Sequence, residues 1–435
     1  MHSNRRVLSK LRVAVTSVTA VLITAAFLSG SAQAWTLKTL HSFCAEANCA
    51  DGSSPLAGLV RDKAGNLYGT TEVGGANGSG VVFELSPNGD QWSYEVLHSF
   101  CWTCDDGVGP VASLILDVNG SLYGTTVEKG GANHGCGTVF RLSPNAHRTK
   151  WRETLLHVFS CDPFGDQAAS TLTYQGKQTG APYDGTSPLY GTTVSGGTGA
   201  GTIYRLVPDG TKWKHKVIYA FCPKGTGGCT DGRSPGSDLI MDDSGTLYGM
   251  TGVGGSTNNG IVYQLKSNAR NMNWRETILY NFCQLENCTD GALPAGALVM
   301  DARGRLFGTS NGPIDAGNIF EMARKEGAWR EKPVHIFDPG DCGGYNPAAG
   351  LLLDPFATFY GTTAIGGCNA GFGGTVFSFT SKSYSALYTF CSLDHCADGD
   401  GPLAPVIRDP FGNLYGTTVL FGANGDGGTV FELSP

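Results

Sequence analysis

The cysteines are the residues of this sequence with the clearest chemistry, and there are 14 of them. Most fall in close local pairs, which are Cys44/Cys49, Cys101/Cys104, Cys222/Cys229, Cys283/Cys288 and Cys391/Cys396. An even, locally paired set is typical of disulfides formed in an oxidising compartment. Zinc is the alternative, because Cys101 and Cys104 form a Cys-x-x-Cys, but a zinc site needs two such pairs to converge and the other pairs are spaced differently. We therefore expect disulfides.

Four further cysteines, Cys136, Cys161, Cys342 and Cys368, lie in longer loops. If the chain is a propeller of four-stranded blades, these loops lie on the same face of the molecule as the local pairs. We hypothesise that Cys136 bonds to Cys161 and Cys342 to Cys368, each joining neighbouring loops, which requires Cα atoms less than about 7 Å apart. This face, which carries all the cysteines, is called the disulfide rim.

A second element of the disulfide rim is the motif Asp-Gly-x-x-Pro, which begins at Asp51, Asp106, Asp231, Asp290 and Asp398. The motif is typical of a turn, because Asp accepts backbone amides, Gly takes positive φ and Pro fixes the following residue. The alternative is a set of carboxylates at the mouth of a channel, suited to Ca²⁺ or to a cationic or hydroxyl-rich ligand. We favour the turn, treat these residues as candidate binding residues, and leave metal binding open.

The best single contact candidate is Trp102, which lies inside the Cys101/Cys104 loop and has no counterpart elsewhere in the sequence. The other tryptophans recur at repeat positions, so we expect them to pack between structural units. No catalytic residue can be assigned, since the sequence lacks the Gly-x-Ser-x-Gly, His-Glu-x-x-His and phosphate-binding loop motifs. No cofactor is expected other than calcium.

These residues are positioned by a repeat. A phrase of the type Leu-Tyr-Gly-Thr-Thr occurs along the whole chain, with its aromatic residue at positions 68, 123, 190, 248, 307, 360 and 415. Copies at such a period indicate a repeat architecture. Each copy sits among four short strand patterns separated by turn residues, which is typical of a propeller blade. The third copy carries an extra segment, residues 177–188, which we interpret as a tolerated loop extension on the face opposite the disulfide rim.

The two ends of the repeat array complement each other. The last copy stops after its third strand, at residues 429–433, whereas residues 35–43 match the fourth strand of the other copies. Pairing the two would remove an exposed sheet edge. The sequence therefore predicts an all-β fold, a seven-bladed β-propeller with four-stranded blades, in which the N-terminal strand closes the last blade. The propeller is expected to span residues 35–435.

The phrase Leu-Tyr-Gly-Thr-Thr followed by Thr-Val-Phe-Glu-Leu-Ser-Pro, seen at residues 414–435, resembles the GloVer tandem-repeat proteins of bacterial surfaces. The resemblance covers residues 35–435. It implies an exported repeat protein and carries over no catalytic residue.

The N-terminus is typical of a secretory signal peptide. A basic segment that includes Arg5, Arg6, Lys10 and Arg12 precedes an apolar run and the site Ala32-Gln33-Ala34, so residues 1–34 are expected to be removed. The net charge of −7 would then become more negative. A negative chain without a basic cluster argues against nucleic-acid binding, and no later segment is apolar enough to span a membrane.

Together these observations favour a secreted protein located in the periplasm, in the medium or at the cell surface. The first choice of function is a non-catalytic binding module for a glycan or a protein. The alternatives are a propeller enzyme acting on glycans or small lactone-like substrates, and a structural component of the envelope.

Overall fold

The computed structural model describes residues 35–130, 136–160, 167–223, 228–268, 273–312, 316–368 and 373–435. The expected signal peptide and Cys161 lie outside these residues. The described residues form antiparallel β-sheets and four one-turn 3₁₀ helices, Ala47–Cys49, Lys177–Thr179, Glu286–Cys288 and Asp394–Cys396. Among the described residues, no helix has the length and apolar character needed to cross a bilayer.

The sheets are the blades of a propeller, and six of the seven begin with an innermost strand. This strand is two residues long except in the fifth blade, where it has nine residues. The innermost strands are Val60–Arg61, Ile115–Leu116, Ile240–Met241, Ala292–Met300, Leu352–Leu353 and Ile407–Arg408. The second strands are Leu67–Thr71, Leu122–Thr126, Leu189–Thr193, Leu247–Thr251, Leu306–Asn311, Phe359–Thr363 and Leu414–Thr418. The third strands are Val81–Asn88, Thr138–Pro144, Thr202–Asp209, Ile261–Ser267, Asn318–Lys325, Thr375–Phe379 and Thr429–Ser434. The outermost strands are Gln91–Ser99, Trp151–Val158, Lys212–Ala220, Trp274–Asn281, Ala328–Ile336, Tyr384–Thr389 and, for the seventh blade, Thr36–Ser42.

The predicted seven-bladed β-propeller is confirmed, with one local departure. In the third blade a single bridge between Thr173 and Tyr190 holds the place of the innermost strand. The chain there carries the polar segment Thr171–Thr173 and the insertion at 177–188, where the other blades have aliphatic residues. A separate pair of two-residue strands, Gly107–Val108 and Glu128–Lys129, joins two loops of the second blade.

The N-terminal strand closes the seventh blade, as the sequence predicts. Thr36–Ser42 runs antiparallel to Thr429–Ser434, with Lys38 opposite Glu432 and Ser42 opposite Thr429. The last third strand is therefore paired on both sides, and no unpaired edge is left there to template association.

The glycine of the repeated phrase explains how each sheet packs. In every blade it lies directly beneath an aromatic ring of the third strand, so that a Cβ atom at Gly124 would meet Phe140 Cζ at 2.6 Å and Leu114 Cδ2 at 2.8 Å. A side chain cannot occupy that space. The absence of a Cβ atom lets the ring fill the interior of the blade, and seven hydrophobic clusters built this way lie between neighbouring blades.

In five of the seven blades the first threonine of the phrase connects the blade to the next one. The exceptions are the third blade, where Thr192 Oγ1 has no partner among the described residues, and the fourth, which has Met250 at this position. Thr125 Oγ1 donates a hydrogen bond to the carbonyl of Ser170 at 3.2 Å, and Thr362 Oγ1 donates to Ala404 at 3.1 Å. The last copy, Thr417, donates to Ala57 of the first blade at 3.1 Å, and so the same bond closes the circle. The second threonine stays within its blade, as in the 2.8 Å contact between the hydroxyls of Thr418 and Thr429.

Gly124→Ala is expected to lower the free energy of unfolding by about 1–3 kcal/mol, because the new methyl group overpacks the space beneath Phe140. Chemical denaturation of the oxidised protein measures this difference. The control is Gly236→Ala, where the nearest atom to the added Cβ is Val194 Cγ2 at 3.7 Å and no positive φ is involved. Equal stability of the two variants would contradict the proposed role of the glycine.

Candidate functional site

Six disulfides are present among the described residues. The local bridges are Cys44–Cys49, Cys101–Cys104, Cys222–Cys229, Cys283–Cys288 and Cys391–Cys396. Cys342 is bonded to Cys368, with Cα atoms 4.4 Å apart, and thereby ties two loops of the rim together. Cys136 is also disulfide-bonded, but its expected partner, Cys161, lies outside the described residues.

The five motif aspartates lie in turns and bends of the disulfide rim. Asp51, Asp290 and Asp398 are almost completely buried. Asp290 accepts hydrogen bonds from the backbone amides of Gln284 at 2.8 Å and Leu285 at 3.2 Å. Asp106 accepts its bond from the amide of Gly107, and Asp231 from the amide of Cys222. These carboxylates therefore hold the rim loops in place.

Each motif aspartate also bonds to a side chain near the end of the preceding outermost strand. The pairs are His41–Asp51 at 3.0 Å, His98–Asp106 at 3.1 Å, Tyr219–Asp231 at 2.8 Å, Tyr280–Asp290 at 2.6 Å and Tyr388–Asp398 at 2.8 Å. Four of these pairs have a third side chain beside them, from the outermost strand of the following blade. Tyr94 donates to the backbone carbonyl of Asp51, and Glu153 shares a hydrogen bond with Asp106. Glu276 and Glu331 interact with Asp231 and Asp290 through their charges. We call each such set an inter-blade triad. The sequence analysis missed the triads because their members come from different blades.

The glutamates of these triads keep their protons more readily than an exposed carboxyl does. Burial, followed by the charge of Asp231, raises the pKa of Glu276 to about 7. Burial and the charge of Asp290 raise the pKa of Glu331 to about 8. At neutral pH these carboxyls therefore carry a substantial fraction of bound proton.

A central cavity of about 1380 Å³ is enclosed by the innermost segments of the blades. Its lining includes Val60, Ile115, Thr171, Ile240, Val299, Leu352 and Ile407, one residue from each blade. The lining also includes turns that join innermost to second strands, among them residues 62–64 and 117–120. The disulfide rim lies at the other end of these strands. The cavity therefore belongs to the face opposite the rim, which we call the turn face.

The third blade supplies the cavity with charged and polar groups. The insertion at 177–188, interpreted from the sequence as a tolerated extension, contributes Lys177, Gln178 and Thr179 to the lining. Lys177 Nζ donates a hydrogen bond to the carbonyl of Leu172 at 2.9 Å. Loss of hydration lowers the pKa of this ammonium group, while the charge of Asp238 acts in the opposite direction. Asp238 also lines the cavity and accepts a hydrogen bond from the amide of Thr171 at 2.7 Å.

The other cavity aspartates fix turns. Asp117 Oδ1 accepts bonds from the amides of Asn119 and Ser121, and its Oδ2 accepts the hydroxyl of Tyr123 at 3.1 Å. Asp62 makes the equivalent contacts with its own turn and with Tyr68. Tyr68, Tyr123, Tyr248 and Tyr415 of the repeated phrase thus each bond through the hydroxyl to an aspartate six residues earlier. That spacing is a signal present in the sequence itself.

Trp102 lies on the disulfide rim, away from the cavity. Trp102 is 46% exposed, and its amide donates a hydrogen bond to Ser79 Oγ at 3.0 Å. The Cys101–Cys104 loop that carries it connects His98 to Asp106. Trp102 therefore lies between two members of one inter-blade triad in the sequence, His98 and Asp106, and it does not line the cavity.

The fold and the cavity define a seven-bladed β-propeller whose blades are copies of one repeat. The sequence profile of the Gloeobacter/Verrucomicrobia repeat matches residues 27–183 and 157–343. The chain belongs to this family. A comparison with curated protein sequences found no match.

Solved structures share the fold at low sequence identity. The BP39L lectin from Burkholderia pseudomallei is 12% identical with a TM-score of 0.51, over 86% of this chain and 94% of the lectin. An α-L-arabinanase from Penicillium chrysogenum, solved with arabinobiose, is 13% identical with a TM-score of 0.45, over 74% of this chain and 92% of the arabinanase. At such identity the likeness concerns the fold alone.

The triad glutamates predict a pH dependence of stability. Between the usual glutamate pKa of 4.5 and the folded value of about 8, the folded protein holds a proton on Glu331 that the unfolded chain releases, so stability falls as pH rises. Glu331→Gln mimics the protonated carboxyl next to Asp290 and Tyr280 and removes its titration. The loss of unfolding free energy between pH 5 and pH 8 should therefore be smaller in this variant than in the wild type.

Denaturant unfolding at the two pH values measures this loss. Glu95→Gln, at an exposed position of an outermost strand, is the control and should retain the wild-type dependence. A Glu331→Gln protein with the same dependence as the wild type would show that the triad glutamate does not hold the proton.

Proposed function

We propose that this protein is an exported, non-catalytic binding propeller whose ligand is a saccharide held in the central cavity beside the third blade. The observation that carries the proposal is the placement of Lys177, from the insertion of the third blade, and of Asp238 in the central cavity. The innermost strands give this cavity aliphatic walls, and the lining also contains further charged residues, namely Arg61, Asp62, Lys63, Asp117, Arg148 and Asp354. Large concave sites with a few convergent polar groups are the usual binding sites of small ligands. The multiple disulfides support an extracellular location.

The chemistry of the two charged groups suits hydroxyl groups. An ammonium group is only a donor and a carboxylate is only an acceptor, whereas a sugar hydroxyl both donates and accepts. Neighbouring hydroxyls of one sugar can therefore satisfy Lys177 and Asp238 together. The aliphatic lining, which includes Val60, Ile115 and Leu352, offers apolar surface to the C–H faces of the same sugar. This combination favours a saccharide over a wholly apolar ligand.

The state of the other cavity carboxylates supports binding without turnover. Hydrolysis of a glycosidic bond uses a pair of carboxyl groups that exchange protons with substrate and water. Asp62, Asp117 and Asp354 accept hydrogen bonds from the amides of their own turns, and Asp62 and Asp117 also accept tyrosine hydroxyls. Proton exchange by these aspartates would break the turns that they hold. Among the described lining residues, Asp238 is then the one carboxylate left as a candidate catalytic group, and it has no second carboxylate to form the pair.

The test begins with a panel of soluble oligosaccharides, neutral and uronic, followed by calorimetric titration of the tightest binder. Lys177→Met and Asp238→Asn should each weaken binding at least about tenfold, since each removes a hydrogen bond to a charged group. Asn at position 238 can still accept the bond from Thr171, which preserves the local fold. Lys214→Met is the control, because Lys214 lies exposed on the outermost strand of the same blade and its loss should leave affinity unchanged.

Three outcomes would contradict the proposal. Binding that is insensitive to both cavity variants and lost in Trp102→Ala would place the saccharide on the disulfide rim. Hydrolysis of the bound sugar, abolished by Asp238→Asn, would favour the enzyme alternative. Absence of binding across the panel, with a protein partner recovered instead, would favour a protein-interaction module.

A further inference from the structure

One inter-blade triad differs from the others in its donor atoms. His98 lies near the end of the outermost strand of the first blade, Asp106 in the loop that follows, and Glu153 on the outermost strand of the second blade. One ligand atom from each residue lies within 4.8 Å of the other two, and His98 Nε2 is 3.1 Å from Asp106 Oδ2. The three side chains therefore converge on one point between two blades.

The remaining described triads each contain a tyrosine, which this one lacks. They are His41/Asp51/Tyr94, Tyr219/Asp231/Glu276 and Tyr280/Asp290/Glu331. A phenol carries its own proton and can donate it to the aspartate, as Tyr280 does to Asp290 at 2.6 Å. In the set of His98, Asp106 and Glu153, an imidazole and two carboxylates meet without a phenol between them.

Two carboxylates in this position need a positive charge. Glu153 Oε1 is buried, and among the described residues no group donates a hydrogen bond to it. Burial and the neighbouring Asp106 carboxylate raise the pKa of Glu153 to about 9, so a bare proton would be shared at neutral pH. A metal cation bound between the carboxylate oxygens of Asp106 and Glu153 would also remove the repulsion between these two groups. The imidazole nitrogen of His98 would then serve as a third ligand.

We propose that His98, Asp106 and Glu153 form a binding site for a divalent transition-metal ion, of which zinc is the representative. Zinc binds histidine nitrogen and carboxylate oxygen, and three protein ligands leave a further position for water or a ligand. Calcium instead prefers six to eight oxygen ligands, which this set does not offer. The side chain of His98 is 22% exposed, so the site is reachable from the disulfide rim.

Two other triads of this protein show which substitutions the fold accepts at these positions. His98→Tyr reproduces the composition of the Tyr280/Asp290/Glu331 triad, and Glu153→Tyr reproduces that of His41/Asp51/Tyr94. Each puts a phenol in place of one proposed ligand at a position where the repeat already accepts it. His147→Gln removes an exposed histidine from a turn of the second blade and serves as the control.

The experiment is calorimetric titration of the metal-free, oxidised protein with zinc chloride at pH 7. The wild type and His147→Gln should bind one zinc ion more than His98→Tyr and Glu153→Tyr, or bind it at least about tenfold more tightly.

Zinc binding that is absent, or identical in the wild type and in both tyrosine variants, would overturn the proposal and leave the triad as a proton-sharing contact between blades. Circular dichroism and thermal unfolding of the metal-free variants establish that a loss of binding is not a loss of fold.

Discussion

The contact on which the structure depends is the one between the glycine of each second strand and the aromatic ring above it. A Cβ atom at Gly69 would lie 2.5 Å from Phe83 Cζ, so the ring can occupy the blade interior only because glycine has no side chain. The threonine that follows then reaches the next blade, and the bond from Thr417 to Ala57 returns the circle to its start. Sheet packing and ring closure thus originate in adjacent residues of one short phrase.

Because the blades are copies of one repeat, a binding site in one place can arise only where one copy differs from the others. The third blade replaces an aliphatic innermost strand by Thr171–Thr173 and an insertion, and there Lys177 enters the cavity. The triad of the first and second blades combines an imidazole, as in His41, with a carboxyl, as in Glu331, and is therefore the one described triad without a phenol. Both candidate sites are thus found where one copy of the repeat differs from the others.

The same reasoning explains which features could be predicted from the sequence. Strands, blade number and closure by residues 36–42 are encoded in a phrase that recurs, and the local disulfides follow from cysteines a few residues apart. The Asp-Gly-x-x-Pro motif does not show whether its carboxylate faces solvent or an adjacent blade. That depends on a residue remote in sequence, such as Glu331 for Asp290. Whether the side chain of Lys177 enters the cavity likewise depends on how the insertion at 177–188 folds, and this insertion occurs in only one copy of the repeat.

Both candidate sites are held rigid before any ligand arrives, which bears on what they can bind. The ammonium of Lys177 is anchored by the carbonyl of Leu172, and Asp238 by the amide of Thr171. Asp106 is fixed by the amide of Gly107 within a loop closed by the Cys101–Cys104 disulfide. Binding then costs little ordering of side chains, and preorganisation of this kind favours ligands of defined shape over adaptable ones. A saccharide in the cavity and a metal ion at the rim both meet that condition, whereas a disordered peptide would itself have to be ordered on binding.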